Sequence, residues 1–177
     1  MTYFEEVKQI IDELDYDEIE KVRQVLKNLK GRLFILGVGG SAANASHAVN
    51  DFRKIAGIEA YAPTDNVAEL TAWTNDVGWD VPFYQYIKRS KMTSSDAILI
   101  LSVGGGSETT SRNLIKAIFH AMKCQAKILG IVSRDGGETK KYAHACVLIP
   151  TVNKDNITPH AESFQAIIWH YLVNNLM

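Results

Sequence analysis

The chain has 177 residues, 19 Lys+Arg against 20 Asp+Glu and a formal net charge of -1. Its 46% hydrophobic and 22% charged residues are those of a globular chain that can bury its own core, and its near-zero charge lacks the electrostatic footprint of a nucleic-acid binder. No apolar run approaches the ~20 residues of a membrane span, the acidic start Met1-Thr2-Tyr3-Phe4-Glu5-Glu6 is unlike a signal peptide, and Cys124 and Cys146 form neither a framework nor a CxxC, so reduced thiols in a cytoplasmic protein are expected.

Residues 2–30 stand apart. Phe4, Val7, Ile10, Ile11 and Leu14 recur at helical spacing, Asp15-Tyr16-Asp17 breaks the run, and Ile19, Val22, Val25, Leu26 and Leu29 form a second stripe that Gly31 can end. The pattern predicts an αα-hairpin whose stripes either cover the main core or meet another subunit. From residue 32 short apolar runs alternate with helical segments. Strands are predicted at 32–36, 58–62, 97–101, 127–132 and 146–149. Helices are predicted at 42–55, 67–73, 82–89 and 108–123, and from about Thr158, with Pro159 in the first turn, to the C-terminus. Alternation of this kind means an α/β parallel sheet with helices on both faces. No repeat or linker divides it, so one domain over 1–177 is expected.

Two strands run into glycine-serine turns followed by helices: Gly37-Val38-Gly39-Gly40-Ser41 and Ser102-Val103-Gly104-Gly105-Gly106-Ser107. Glycine lets the backbone turn sharply and approach a ligand, the next helix offers free N–H groups, and serine adds small donors. Together these suit a phosphate or carboxylate. The first turn also fits G-x-G-x-x-A, the dinucleotide fingerprint, but Glu59 stands at the start of the second strand rather than its end, which is the wrong place for a ribose contact.

His47 and Asp51 are i, i+4 on the helix after the first turn and so share a face. That spacing suits metal ligation or acid/base work, and equally a helix-stabilising surface pair. Glu162 and His170 lie on the last helix, roughly 12 Å apart along its axis, with small Ala166 between them and core-type residues elsewhere. Trp73, Trp79 and Trp169 read as packing or interface residues, and His160 lies close to Glu162.

In this order, with Asn75-Asp76 and Asp135-Gly136-Gly137 between, the residues resemble the sugar isomerase (SIS) domain over essentially the whole chain, and within it the phosphoheptose isomerases. The resemblance implies a three-layer, flavodoxin-like sandwich: a five-stranded parallel sheet flanked by helices, with residues 1–30 a hairpin for association and 31–177 the sheet core and last helix. It implies a homotetramer with active sites at subunit interfaces. It also implies interconversion of sedoheptulose 7-phosphate and D-glycero-D-manno-heptose 7-phosphate. Zinc ligands map to His47, Asp51, Glu162 and His170, the base to Asp51 and the acid to His170. Substrate contacts map to Gly39, Gly40, Ser41, Asn75, Asp76, Ser102, Gly104, Gly105, Ser107 and Glu162. Here Asp51 replaces a family Glu, Glu162 replaces a Gln, and Val103 and Gly104 replace two hydroxyl-bearing residues. The competing expectation is a non-catalytic sugar-phosphate sensor or a binder of the replication initiator, for which retained His/Asp and Glu/His pairs have little use.

Overall fold

The computed structural model describes residues 1–176. Helix α1, Tyr3–Glu13, starts from a capping box: Thr2 Oγ1 accepts from the Glu5 amide at 3.3 Å and the Glu5 carboxylate accepts from the Thr2 amide at 2.7 Å. Helix α2, Tyr16–Lys27, starts where the sequence breaks, because the Asp15 carboxylate accepts from the Glu18 amide at 3.1 Å. The predicted cap at Gly31 is displaced: α2 ends at Lys27 and Asn28 closes the turn. Gly31 instead lets the chain pass Asp96, since a β-carbon there would lie 2.5 Å from its Oδ1.

Five parallel strands follow: β1 Leu33–Leu36, β2 Ala60–Tyr61, β3 Ala97–Leu101, β4 Lys127–Val132 and β5 Ala145–Leu148. Their order is β2-β1-β3-β4-β5, with Leu33 opposite Ala97 and Ala97 opposite Lys127. The three central strands are buried on both faces, which is why their sequences are nearly all apolar rather than alternating. Leu33, Ile35, Leu99, Leu129 and Val147 face one cluster, while Phe34, Leu36, Ile98, Ile100 and Ile128 face the other. The first cluster is covered by α1, α2, α3 (Gly40–Lys54) and α8 (Ile157–Asn174). The second is covered by α5 (Pro82–Arg89) and α6 (Arg112–Lys123). Each large side chain fully withdrawn from water, such as Phe52, Phe164 or Trp169, contributes about 1.5–3 kcal/mol.

The hairpin covers the core with part of its apolar surface and leaves part of it exposed. Ile10, Ile19, Val22 and Leu26 join the core, yet Phe4 stays 76% exposed and Ile11 42%. The remaining helices are α4, Val67–Asp76, which buries no residue, and α7, Gly137–Tyr142, a short helix outside the predicted segments. Helix α6 begins four residues later than predicted. Ser107 and Thr110 bond each other's backbone, the Ser107 amide to the Thr110 carbonyl at 2.8 Å and the Thr110 amide to Ser107 Oγ at 3.1 Å, so the polar run 107–111 closes on itself as a loop. The last helix starts one residue before Thr158, and no side chain caps it. Among the described residues no helix is long and apolar enough to cross a membrane.

Candidate active site

After β1 the chain crosses to β2 on one side; after β3 it crosses to β4 on the other. The carboxyl ends of the adjacent β1 and β3 therefore diverge, and in an open α/β sheet such a switch point leaves a crevice. A cleft of about 590 Å³ lies there, bordered by Ser41, Ser102, Gly104 and Ser107 from the two glycine-serine turns. Ser41 is buried at the start of α3. Ser102 Oγ accepts from the Gly105 amide at 3.0 Å, which closes the second turn. The amides of Val103, Gly104 and Gly106 make no hydrogen bond among the described residues and remain available to an anion.

The turn after β4 is fastened to this one. Ser133 donates its amide to the Val103 carbonyl at 3.0 Å, while Thr139 donates its amide and its hydroxyl to the Gly105 carbonyl at 3.0 and 2.6 Å. The approach is so close that a β-carbon at Gly105 would collide with the Gly136 carbonyl, so the glycine is a steric necessity there. Gly39, at φ +63, makes the left-handed step that launches α3.

Farther along α3, His47 and Asp51 meet His170 of α8. Asp51 Oδ2 lies 3.6 Å from His47 Nε2 and 3.7 Å from His170 Nε2, and one ligand atom from each residue lies within 4.8 Å of the others. Asp51 is the least accessible, its side chain 14% exposed against 58% and 43% for the histidines. Asn50 Nδ2 donates to Asp51 Oδ1 at 2.8 Å, which turns Oδ2 toward the imidazoles. Trp169, fully buried, stacks on His170 with ring centroids 3.5 Å apart and meets His47 edge-on at 4.8 Å. These three donors form a possible metal-binding group, and two imidazole nitrogens with one carboxylate oxygen suit a borderline divalent ion such as zinc.

The other expected residues divide. Glu162 is not one of this triad: its carboxylate lies against Gly40, where a β-carbon would collide with both oxygens, so it sits beside the first turn of α3. Asn75 and Asp76 are exposed at the end of α4, hydrogen-bonded to each other at 2.9 Å, and neither borders the cleft. His160 faces away into a buried network with Glu6, at 2.6 Å. Sequence reasoning missed Asn50, Trp169 as a support for both histidines, and Arg134 and Thr158 at the cleft. For Arg134 a signal existed: Ser133-Arg134-Asp135-Gly136-Gly137 is a third glycine-bearing strand end, and β4 is the strand next to β3.

Residues 2–133 match the family model of the SIS domain. Phosphoheptose isomerase of Nitratiruptor sp. is 30% identical over 84% of this chain and 77% of that relative, and that of Syntrophotalea carbinolica 26% over 96% and 87%. The solved structure of a phosphoheptose isomerase from Neisseria gonorrhoeae shares the fold with a TM-score of 0.84 at 22% identity, covering 99% of this chain and 96% of that one. With the family model spanning most of its length and such relatives aligned along nearly all of it, the chain belongs to the SIS domain family, in its phosphoheptose isomerase group.

Proposed function

We infer that the protein is a phosphosugar aldose–ketose isomerase, interconverting sedoheptulose 7-phosphate and D-glycero-D-manno-heptose 7-phosphate. The single observation that carries this reading is the half-buried Asp51 carboxylate set between two imidazole Nε2 atoms, on the same pair of helices that borders the anion-type cleft. The names of the relatives support the heptose assignment.

The reaction moves a proton between C1 and C2 through an enediol and shifts the carbonyl with it. Asp51 Oδ2 takes the proton from one carbon and returns it to the other. Its partial burial removes competing water, and Asn50 fixes its direction. When it does not ligate a metal, His170 Nε2, once protonated, serves the substrate oxygen as acid. The turns Gly39–Ser41 and Ser102–Ser107 hold the phosphate, so that binding at one end of the sugar orients the other. Alternatively, His47, Asp51 and His170 would together hold a zinc ion, which when bound would supply an electrophile for the developing oxyanion; Glu162, the fourth expected donor, stands apart from them against Gly40.

The uncovered apolar side chains Phe4 and Ile11 of α1 and Ile167 and Tyr171 of α8 support association of several copies, which we read as a homotetramer of single-domain chains in the cytoplasm. Asn75 and Asp76, away from the cleft of their own chain, would then touch sugar hydroxyls in a neighbour's site. Purified protein incubated with sedoheptulose 7-phosphate should form the aldose in a coupled assay. Unchanged ketose, with other phosphosugars converted, would remove the heptose assignment; no conversion of any would remove the isomerase.

A further inference from the structure

Of the residues that border the cleft at the β1/β3 switch point, Arg134 alone is cationic. It lies two residues past the end of β4 in a left-handed conformation, φ +55, which a side chain with a β-carbon rarely adopts. The conformation is enforced from both sides. The Ser133 amide is bonded to the Val103 carbonyl, the Gly136 amide to the Ser133 carbonyl at 3.0 Å, and the Glu138 amide to the Gly106 carbonyl at 3.0 Å. A non-glycine residue held at such an angle at the rim of a binding cleft is a recognised mark of function.

The side chain then runs over the second glycine turn. A β-carbon at Gly104 would lie 4.0 Å from Arg134 Cδ, so the stem passes beside that residue. The guanidinium makes no hydrogen bond or ion pair among the described residues. The other charged residue at the rim, Asp135, is occupied: its Oδ1 accepts from the Gly137 amide at 3.1 Å. The free amides of Val103, Gly104 and Gly106 border the same cleft as Arg134. Val103 and Gly104 bring no hydroxyl to this wall, and the chain's net charge of -1 supplies no general positive field.

We propose that Arg134 is the phosphate-reading residue of the cleft, closing its planar guanidinium over an anion seated on the amides of the 102–107 turn. The proposal rests on the sugar-phosphate reading of this site. A guanidinium adds two-pronged, charge-assisted hydrogen bonds that neutral amides cannot replace.

Arg134→Gly is the decisive variant, because glycine accepts φ +55 without strain and the fold should be kept or slightly stabilised. Binding of inorganic phosphate, measured by titration calorimetry, should weaken roughly 10- to 100-fold in Arg134→Gly, with Arg134→Lys intermediate and thermal midpoints at or above the parent's. In turnover, kcat/KM for sedoheptulose 7-phosphate should fall by the same factor. Equal phosphate affinity in parent and Arg134→Gly, or no phosphate binding by the parent, would overturn the proposal. Phosphate binding that depends on Arg134 without any turnover would instead count against the isomerase reading alone.

Discussion

His170 Nδ1 lies 2.7 Å from the carbonyl oxygen of Ala166, one turn earlier on α8. A carbonyl only accepts, so Nδ1 carries the proton and Nε2 is the atom turned to Asp51, 3.7 Å away. The ring thus has one free position. As a neutral imidazole it can hold a metal through Nε2, and once Nε2 has taken up a proton it can give that proton to the substrate, but not both at once through the same nitrogen. Elemental analysis of purified protein separates the two modes. Zinc in stoichiometric amount that leaves with chelator and takes activity with it makes His170 a ligand; full activity of metal-free protein makes it the acid.

Either mode predicts the same loss on substitution. Asp51→Asn and His170→Ala should each lower kcat by about 10²–10⁴-fold or more, with circular dichroism and thermal midpoint close to the parent, since both side chains are partly exposed. Near-normal turnover in either variant would remove the role given to that residue. His47→Ala, in the zinc-bound mode, should lose the metal as well.

Gly40→Ala tests the place of Glu162. The new methyl would overlap both carboxylate oxygens, and the end of a flexible side chain yields more readily than the backbone of α3. Ala is also the better helix former by up to about 1 kcal/mol in a helix interior, less at this first turn. The expected outcome is a folded protein of similar thermal midpoint whose kcat/KM falls because Glu162 is displaced from beside the first turn of α3. Unchanged kinetics would mean that Glu162 does not work from where it lies.

Asp96 predicts a stability effect remote from the chemistry. Its buried carboxylate accepts from the Arg32 amide at 2.8 Å, from Arg32 Nη2 at 2.9 Å and from the Thr93 amide at 2.8 Å, which ties the start of β1 to the turn before β3. Burial pushes its pKa up, but Arg32 and the two amides outweigh that and hold it below the ordinary carboxylate value. Asp96→Ala strands Arg32 and those amides and should cost about 3–5 kcal/mol, read as a lower urea midpoint. A loss under about 1 kcal/mol would mean water replaces the carboxylate fully.

The parallel sheet was legible because its inner strands are continuous apolar runs bounded by turns, and the site helices because His47/Asp51 and Glu162/His170 keep fixed helical spacing. What stayed hidden depends on contacts between distant segments. Ser107–Ser111 has a sequence that a helix can begin with, yet its side chains bond their own backbone. Gly31 looks like a helix end because nothing local announces Asp96, 65 residues later. The triad of His47, Asp51 and His170 could be listed by resemblance, but that Glu162 lies against Gly40 instead of joining it follows only from how α3 and α8 cross.

The network around Glu6 gives the acid dependence of stability. This buried carboxylate on α1 accepts from Asn153 Nδ2 at 2.6 Å and Asn156 Nδ2 at 2.8 Å and faces His160 Nε2 at 2.6 Å, fastening the hairpin to the start of α8. The bonds from Asn153, His160 and Asn156 favour the ionised form and lower its pKa from the ordinary 4.5 to about 2. A depressed folded-state value means stability that is fully present above the unfolded value and lost as pH falls through the folded one. The difference in urea midpoint between the parent and Glu6→Gln should therefore be constant near neutrality and shrink between about pH 4.5 and pH 2. Glu20, held to about 2 by Arg23 and then Gln24, sheds its contribution in the same window in both proteins, so only their difference isolates Glu6. A gap that stays the same across that range would show that the carboxylate's charge does not hold the hairpin in place.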